Sequence, residues 1–365
     1  MSLRGQLFTR SAELPLYRAF RTFRAPVLPP LQITMAVTWR CRYHCPACNC
    51  AQNEQTAELT DQEYYRFFHA LKFRPFMITL TGGEPMIRKD ILKISALAAQ
   101  VARPVVLCIE TAGVLPDRAH RCFKLLTERY RDTHFIAMLS LPGVHGRLDE
   151  LRGAPPRTGA FETFLKTYRA LRGISAPNYS IGVDVLLSRF NAAESGAALD
   201  YAFLMYPDLV KLTVAHGSAC LGVAAPEVAP PRKDHDALVA RYIQKSRHAG
   251  GRGAHRALWH AFRAQSRRAA RNLHVMAQSA PCSAGFASLF ITPDGTVLDC
   301  PAAAREMGVL KDHAMDLESL LCADRAQLVR KQAAAADCFC PMQYADMAHA
   351  LMHSPTFIKM TASSL

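Results

Sequence analysis

The sequence predicts an α/β fold, namely a partial (β/α)6 TIM-like barrel followed by a small α+β domain with a β-hairpin. Between residues 31 and 220, short apolar and β-branched runs alternate with amphipathic stretches, as in a parallel sheet whose strands are joined by helices. After Pro281 the pattern changes to two apolar runs joined by the turn Thr-Pro-Asp-Gly, which is typical of a hairpin. The 365 residues are enough for one main domain and a smaller one.

The first β/α unit is the clearest. Residues 31–38 (LQITMAVT) are apolar and β-branched and predict a buried strand that leads directly to Cys41. Thr60 and Glu63 form a capping-box pattern that predicts a helix extending to about Phe73. A second strand is expected at residues 76–80, so a loop and a helix separate the first two strands.

The alternation of strands and helices continues along the chain. Further strands are expected at 105–110, 135–140, 179–187 and 209–215, with helices after residue 85, after residue 116, at 160–171 and after residue 191. In parallel sheets of this kind, ligands bind beyond the carboxyl ends of the strands. Functional residues are therefore expected directly after the strands.

Changes in composition divide the chain into four predicted segments. We expect an N-terminal extension (1–30), the barrel core (31–220), a linker with a basic helical segment (221–280) and the C-terminal domain (281–365). In the basic segment four arginines recur at helical spacing, namely Arg256, Arg263, Arg267 and Arg271. They predict either a docking surface for an anion or a solvated helix whose arginines touch little.

Charge and composition limit the class of protein. Lys and Arg total 44 against 30 Asp and Glu, a net charge of +14, which predicts attraction to nucleic acid, a phosphorylated small molecule, an acidic peptide or an acidic redox partner. No apolar run is long enough to span a membrane and the N-terminus does not resemble a signal peptide, so we expect a cytoplasmic protein. The 12 cysteines would then be reduced, which favours metal binding or catalysis over disulfides.

Three cysteines follow the first predicted strand within eight residues: Cys41, Cys45 and Cys48. Three thiolates on one loop can hold a [4Fe-4S] cluster and leave its fourth iron free to chelate a substrate or cofactor. His44 and Cys50 lie in the same loop, so a four-ligand zinc site or a fully cysteine-ligated electron-transfer cluster stays open at this point.

A glycine-rich loop follows the second predicted strand, with the sequence Thr81-Gly82-Gly83-Glu84-Pro85. Together with the three cysteines, it resembles the radical S-adenosylmethionine superfamily. The resemblance implies that Gly82, Gly83 and Glu84 bind the methionyl amine of S-adenosylmethionine, the glycines allowing close backbone approach. It also implies that a reduced cluster cleaves S-adenosylmethionine to a 5′-deoxyadenosyl radical, which abstracts hydrogen from a substrate.

Four more residues are candidates for cofactor contacts: Tyr43 in the cysteine loop, Glu110 at the end of the third strand, and Ser140 and Arg152 after the fourth. The region from Ser140 to Phe161 resembles superfamily members that carry a C-terminal twitch or SPASM domain. Arg suits a carboxylate because its planar fork binds both oxygens. The alternative for Arg152 is a surface ion pair that caps a loop. The sequence assigns no catalytic residue.

A second group of cysteines lies in the C-terminal segment: Cys282, Cys300, Cys338 and Cys340. This set resembles the twitch domain, which implies an auxiliary [4Fe-4S] cluster that accepts an electron from the substrate radical. The net reaction would then be an oxidation or the formation of a bond. Relatives commonly space the last pair Cys-x-x-Cys, whereas this chain has Cys-x-Cys, so full ligation stays open, as does a structural zinc clip or buried thiols.

Four functions follow from these observations. The first is hydrogen abstraction from an unidentified substrate with net oxidation or bond formation; the second is radical methyl or adenosyl transfer; the third is modification of a peptide. The fourth is a non-catalytic protein that binds zinc and nucleic acid. For the enzymes, an acidic flavodoxin or ferredoxin is the expected electron donor, and the substrate is expected to be an anionic small molecule or a peptide.

Overall fold

The computed structural model describes residues 13–53, 57–154, 159–247, 254–279, 281–335 and 346–363. One nine-stranded sheet organises these residues, in the strand order β6-β5-β4-β3-β2-β1-β7-β8-β9. Adjacent strands from β1 to β6 pair in parallel, which confirms the predicted α/β fold. The sheet is not closed, because β6 and β9 form its two edges.

The six barrel strands lie where the sequence predicts them. They are β1 (Gln32–Thr38), β2 (Met77–Gly82), β3 (Val106–Thr111), β4 (His134–Ser140), β5 (Tyr179–Leu187) and β6 (Leu209–Val214). All seven residues of β1 are buried. Burial on both faces explains why these strands have nearly continuous apolar sequences rather than alternating ones.

Helix α1 (Leu14–Phe23) precedes the barrel, and the next six helices connect its strands. The connecting helices are α2 (Asp61–Ala70), α3 (Ile91–Leu97), α4 (Pro116–Arg129), α5 (Gly146–Leu151), α6 (Ala160–Arg172) and α7 (Ser195–Leu204). The predicted capping box is present at α2, where the Thr60 side chain accepts from the Glu63 amide and the Glu63 carboxylate accepts from the Thr60 amide.

The predicted hairpin is present and extends the barrel sheet. Strands β7 (Ser288–Ile291) and β8 (Thr296–Leu298) are antiparallel and β9 (Glu306–Val309) follows. Gly295 has φ +94° in the turn, a conformation that favours glycine. Strand β7 pairs in parallel with β1. The sheet is therefore continuous across the boundary expected at residue 281.

In the part of the chain that the structure describes, seven further α-helices follow β6. They are α8 (Ala225–Val228), α9 (Arg232–Ser246), α10 (Ala254–Val275), α11 (Leu317–Cys322), α12 (Asp324–Ala335), α13 (Asp346–Met352) and α14 (Ser354–Ser363). Helix α10 packs on the edge strand β6, and the indole of Trp259 donates to the Asp208 carbonyl at 2.9 Å. No helix in the described ranges is long and apolar enough to cross a bilayer.

Asp346, at the start of α13, connects the first and last barrel strands. Its carboxylate accepts from the Gln32 side chain on β1 at 3.1 Å and lies 3.6 Å from the Lys211 ammonium on β6. We call these two contacts the Asp346 bridge. Since β1 and β6 are not neighbours in the sheet, the bridge closes the open side of the barrel with a side chain in place of a strand.

Candidate active site

A cavity of about 260 Å³ lies at the carboxyl ends of the barrel strands. Nine of the ten residues that the sequence places at this end of the sheet line the cavity, namely Cys41, Tyr43, Cys45, Cys48, Gly82, Gly83, Glu110, Ser140 and Arg152. They come from the ends of four strands and from the loops that follow them. Parallel pairing brings these ends to one edge of the sheet, so residues more than a hundred positions apart meet there.

The cysteine loop is ordered by its own backbone and by a neighbouring loop. The Cys48 amide donates to the Cys45 carbonyl at 2.9 Å, and the His44 amide donates to the Arg152 carbonyl at 2.9 Å. The three thiols are partly buried. Burial raises the pKa of Cys41, and it raises the pKa of Cys45 to about 12. Thiolates at these positions therefore require a cationic centre beside them.

The possible metal donors that line the cavity include three predicted cysteine ligands. Across the described ranges, no three Cys, His, Asp or Glu side chains converge tightly enough to hold one metal ion. The three thiols nevertheless share one cavity. His44, considered as a fourth ligand, is exposed and does not line the cavity, whereas Cys50 is buried and does. The Cys50 thiol donates to the Gly82 carbonyl at 3.4 Å, and its hydrogen bond to Cys48 lowers the pKa of Cys48.

The glycine-rich loop packs directly on the cysteine loop. The Gly83 amide donates to the Thr38 carbonyl at 2.8 Å, and the Glu84 amide donates to the Arg40 carbonyl at 2.9 Å. A Cβ atom on Gly83 would lie 2.3 Å from the Arg40 carbonyl oxygen. A side chain at this position would separate the two loops, so the glycine is required by close backbone approach.

Glu84 is the predicted cofactor residue that does not line the cavity. It is fully buried, and its carboxylate accepts from the Met86 amide (3.0 Å), the Thr111 hydroxyl (2.8 Å) and the Ala112 amide (2.7 Å). Burial raises its pKa in spite of these hydrogen bonds. In this structure Glu84 therefore fixes the end of β3 relative to the glycine-rich loop.

Arg152 is held between two other predicted residues. Its guanidinium donates to the Ser140 carbonyl at 2.7 Å and lies 4.9 Å from the centre of the Tyr43 ring. Arg152 is only 2% exposed, so the alternative of a surface ion pair is wrong. The cation–π contact and the hydrogen bond fix the orientation of the guanidinium in the cavity wall.

A buried charge cluster beneath the cavity is absent from the sequence predictions. The Lys211 ammonium lies 3.5 Å from Glu110, 4.0 Å from Asp184 and 3.6 Å from Asp346. A second cavity of about 90 Å³ adjoins the cluster. The sequence does contain a signal for this cluster, namely the charged residues within the apolar runs of β5 and β6. An ionised side chain in a buried strand needs a partner.

Asp184 is the member of this cluster with an incomplete set of partners. Its Oδ2 atom accepts from the Thr213 hydroxyl at 2.7 Å, whereas its buried Oδ1 atom has no hydrogen-bond partner among the described residues. Burial raises the pKa of Asp184 to about 6 although Lys211 is nearby. Asp184 and Glu110 line both cavities. The cavity floor therefore carries more carboxylates than ammonium groups.

The second group of cysteines is described only in part. The sulfur of Cys282 accepts from the Ala284 amide at 3.5 Å, and the sulfur of Cys300 accepts from the Ala303 amide at 3.3 Å. Cys338 and Cys340 lie outside the described residues. Ligation of an auxiliary cluster by these four cysteines stays a prediction.

The open barrel and the two motifs at its carboxyl end agree with the predicted resemblance to the radical S-adenosylmethionine superfamily, and the comparisons with known proteins support it. A PqqA peptide cyclase from Streptomyces rochei is 26% identical over 291 residues, covering 75% of this chain and 70% of the relative. A PqqA peptide cyclase from Methylocella silvestris is 24% identical over 301 residues, covering 79% of this chain and 74% of the relative. No family model matches the chain.

Solved structures show the same fold. The enzyme anSMEcpe with bound S-adenosylmethionine aligns with a TM-score of 0.57 and 13% identity over 92% of this chain and 95% of that one. Streptococcus suis SuiB bound to its precursor peptide SuiA aligns with a TM-score of 0.55 and 13% identity over 95% of this chain and 70% of SuiB. With SuiB bound to S-adenosylmethionine, the alignment covers only 60% of SuiB.

Proposed function

We propose that this chain is a radical S-adenosylmethionine enzyme that abstracts hydrogen from a peptide substrate. The observation that carries the proposal is the single cavity of about 260 Å³ at which the three cysteines, the two glycines and the polar residues from β3 and β4 meet. In this proposal Cys41, Cys45 and Cys48 hold a [4Fe-4S] cluster. The rest of the cavity binds S-adenosylmethionine.

The described residues suit these two groups. When bound, the cluster and S-adenosylmethionine supply a 5′-deoxyadenosyl radical. The chain supplies position and shielding: Gly82 and Gly83 allow a ligand close to the backbone, and Arg152 holds a fixed positive charge in the cavity wall. Glu110 presents a carboxylate that accepts from the Thr81 hydroxyl at 2.9 Å. These preset hydrogen bonds reduce the reorganisation needed when the cofactor binds.

The comparisons favour a peptide over a small molecule as the substrate. Both sequence relatives are named PqqA peptide cyclase, and SuiB and anSMEcpe have structures with bound peptides. The carboxylates of Asp184 and Glu110 line the cavity floor and fit a substrate with a positively charged or hydrogen-bond-donating side chain.

An auxiliary cluster completes the proposal. Cys282, Cys300, Cys338 and Cys340 would hold it within residues 281–365, a twitch-like domain that follows the N-terminal extension (1–30), the core (31–220) and the linker with the basic helix (221–280). Accepting the electron of the substrate radical would make the net reaction an oxidation or a cross-link. A flavodoxin or ferredoxin would reduce the first cluster.

The test is anaerobic reconstitution with iron and sulfide, followed by metal analysis and incubation with S-adenosylmethionine and dithionite. We expect about eight irons per chain and release of 5′-deoxyadenosine. A Cys282→Ser, Cys300→Ser double variant is expected to retain about four irons, which would show that the two groups bind separate clusters. Cys322→Ala is the matched control, because Cys322 is exposed and belongs to neither predicted group of ligands.

Two results would contradict the proposal. Zinc without iron after reconstitution would indicate the non-catalytic alternative. Consumption of S-adenosylmethionine without free 5′-deoxyadenosine would indicate methyl or adenosyl transfer. Replacing Cys41, Cys45 and Cys48 together by alanine must abolish the release of 5′-deoxyadenosine, whereas Cys322→Ala must leave it unchanged.

A further inference from the structure

Helices α10 and α14 border a groove of about 710 Å³ on the outside of the barrel. Its titratable lining residues are all basic, namely Arg256, His260, Arg263, Arg267, Arg268, Arg271, His353 and Lys359. Among the described residues, no acidic side chain lines the groove. We call this surface the arginine groove. We infer that it binds an acidic segment of the peptide substrate, an inference that rests on the proposed function for the identity of its ligand.

The positive charges of the groove are not neutralised by the described part of the chain. Arg256, Arg267 and Arg271 are exposed, and none of them forms an ion pair with a described carboxylate. Burial, together with nearby Arg263, Arg256 and Lys359, lowers the pKa of His260 to about 4. Burial is the largest cause of this shift, and the three nearby cations add to it. An anionic ligand would relieve the repulsion.

Arg268 gives an independent indication of a ligand. It is only 8% exposed and lines the groove, yet no hydrogen bond or ion pair joins its guanidinium to a described residue. Burial lowers its pKa to about 10. Arginine is rarely buried without a partner, because desolvation of a charge is costly unless an anion compensates for it. A carboxylate in the groove would supply that partner through two parallel hydrogen bonds.

The groove is also held in shape by the core. Leu258 and Phe262 of α10 are buried against the barrel, which fixes the helix and orients its other side to the groove. Arg263 donates to the Ser246 carbonyl at 3.1 Å and to the Trp259 carbonyl at 3.3 Å. The cationic groups are therefore preorganised, and binding would not have to order them.

The lining favours an acidic peptide over a nucleic acid. The described residues contribute no Phe, Tyr or Trp side chain to it on which a base could stack. Its volume of about 710 Å³ lies within the range of ligand clefts and suits a short extended segment. Arginine forks match the planar carboxylates of Asp and Glu. Nucleic acid, one of the anions that the net charge predicts, becomes an outcome of the test.

The experiment measures the fluorescence anisotropy of a labelled octaglutamate peptide with the full chain, with and without reconstituted iron. The variant is Arg256→Gln, Arg267→Gln, Arg271→Gln, which changes only exposed side chains. The matched control is Arg66→Gln, Arg121→Gln, Arg131→Gln, which removes the same charge at exposed positions outside the groove. An octaglutamine peptide tests for charge, and a twelve-nucleotide single-stranded DNA and RNA are the competing probes.

We expect octaglutamate to bind to the wild type and the control variant, and to bind roughly tenfold or more weakly to the groove variant, because three charge-assisted contacts are lost. Raising the salt concentration should weaken binding to the wild type, since exposed charges are screened. The groove variant should still release 5′-deoxyadenosine at the wild-type rate with S-adenosylmethionine and dithionite. That readout separates the groove from the proposed function.

Three outcomes would overturn the inference: no octaglutamate binding by the wild type, an equal loss in the two triple variants, or tighter binding of either nucleic acid with the same dependence on the groove arginines. If octaglutamate binds but the wild type releases no 5′-deoxyadenosine, the proposed function fails and the acidic-ligand site stands without an enzymatic role. If 5′-deoxyadenosine is released but octaglutamate does not bind, only the inference about the groove fails.

Discussion

Arginine side chains have opposite surroundings in the cavity at the barrel mouth and in the arginine groove. In the cavity, Arg152 donates to Ser140 and lies over the Tyr43 ring, with carboxylates on the cavity floor nearby. In the groove, Arg268 is buried without a partner among the described residues, and every charged neighbour is basic. Side chains that are already hydrogen-bonded within the protein preorganise a cavity for a small cofactor. Positive charges without a partner in the protein favour a ligand that supplies the negative charges.

The largest expected difference between the two regions comes from Gly83→Ala. The new Cβ would lie 2.3 Å from the Arg40 carbonyl oxygen, so the variant should lose about 3 kcal/mol of stability and nearly all release of 5′-deoxyadenosine. At denaturant concentrations below the midpoint of unfolding, the affinity for octaglutamate should not change. Gly146→Ala is the control, because no described atom lies within 4 Å of its Cβ position. Equal effects of the two substitutions in chemical denaturation would contradict the close-approach argument.

Asp346→Ala tests whether the two regions are independent. The substitution removes the Asp346 bridge, and α13 leads directly into α14, which borders the groove. We expect the free energy of unfolding to fall by about 2 kcal/mol. Both S-adenosylmethionine cleavage and octaglutamate binding should weaken. Asp346→Asn should lose less stability, since the oxygen of its side-chain amide can still accept from Gln32. Asp312→Ala, at an exposed position, is the control, and wild-type behaviour of Asp346→Ala in urea would refute the role of the bridge.

A smaller effect is expected from the acidic floor of the cavity. The folded-state pKa of Asp184 is raised from 3.8 to about 6, so its contribution to stability is present below about pH 4 and is lost as the pH rises through about 6. Glu110, Lys211 and Asp346 surround it. Relative to the wild type, the free energy of unfolding of Asp184→Asn should therefore rise by about 1–2 kcal/mol between pH 4 and pH 7. A pH-independent difference in urea unfolding would show that Asp184 does not titrate as stated.

The smallest expected effect is that of Thr81→Val. The substitution keeps the shape of the side chain and removes the hydroxyl that donates to Glu110 at 2.9 Å. We expect about 1 kcal/mol of lost stability and a weaker affinity for S-adenosylmethionine, with octaglutamate binding unchanged. Thr292→Val, which removes a hydroxyl in the hairpin turn far along the chain, is the control. A change in octaglutamate binding with Thr81→Val would mean that the cavity and the groove are coupled.

Local sequence patterns account for most of the barrel mouth. The cysteine loop and the glycine-rich loop follow strands whose apolar runs are unmistakable, and parallel pairing then brings them together. Glu84 shows where the pattern stops being informative. Its motif implies a cofactor contact, but the position of its carboxylate depends on the end of β3, which lies far along the chain.

The charge cluster and the groove depend on contacts that no local pattern contains. Lys211, Asp184 and Asp346 lie on β6, on β5 and at the start of α13, and they meet only when the open side of the barrel is covered. The helical spacing of Arg256, Arg263, Arg267 and Arg271 predicts a basic face, yet Arg268 is not part of that pattern. Its burial follows from the packing of α14 on α10, which the sequence does not specify locally.

The Asp346 bridge also sets an order of events during synthesis. A ribosome makes β1 to β6 first, but the side chain that joins β1 to β6 arrives more than a hundred residues after β6. Until then one side of the nascent barrel is uncovered, and the Lys211 side chain lacks its contact with Asp346. Contacts of such large sequence separation form late. The side chain that joins β1 to β6 is therefore in place only after residue 346 has been synthesised.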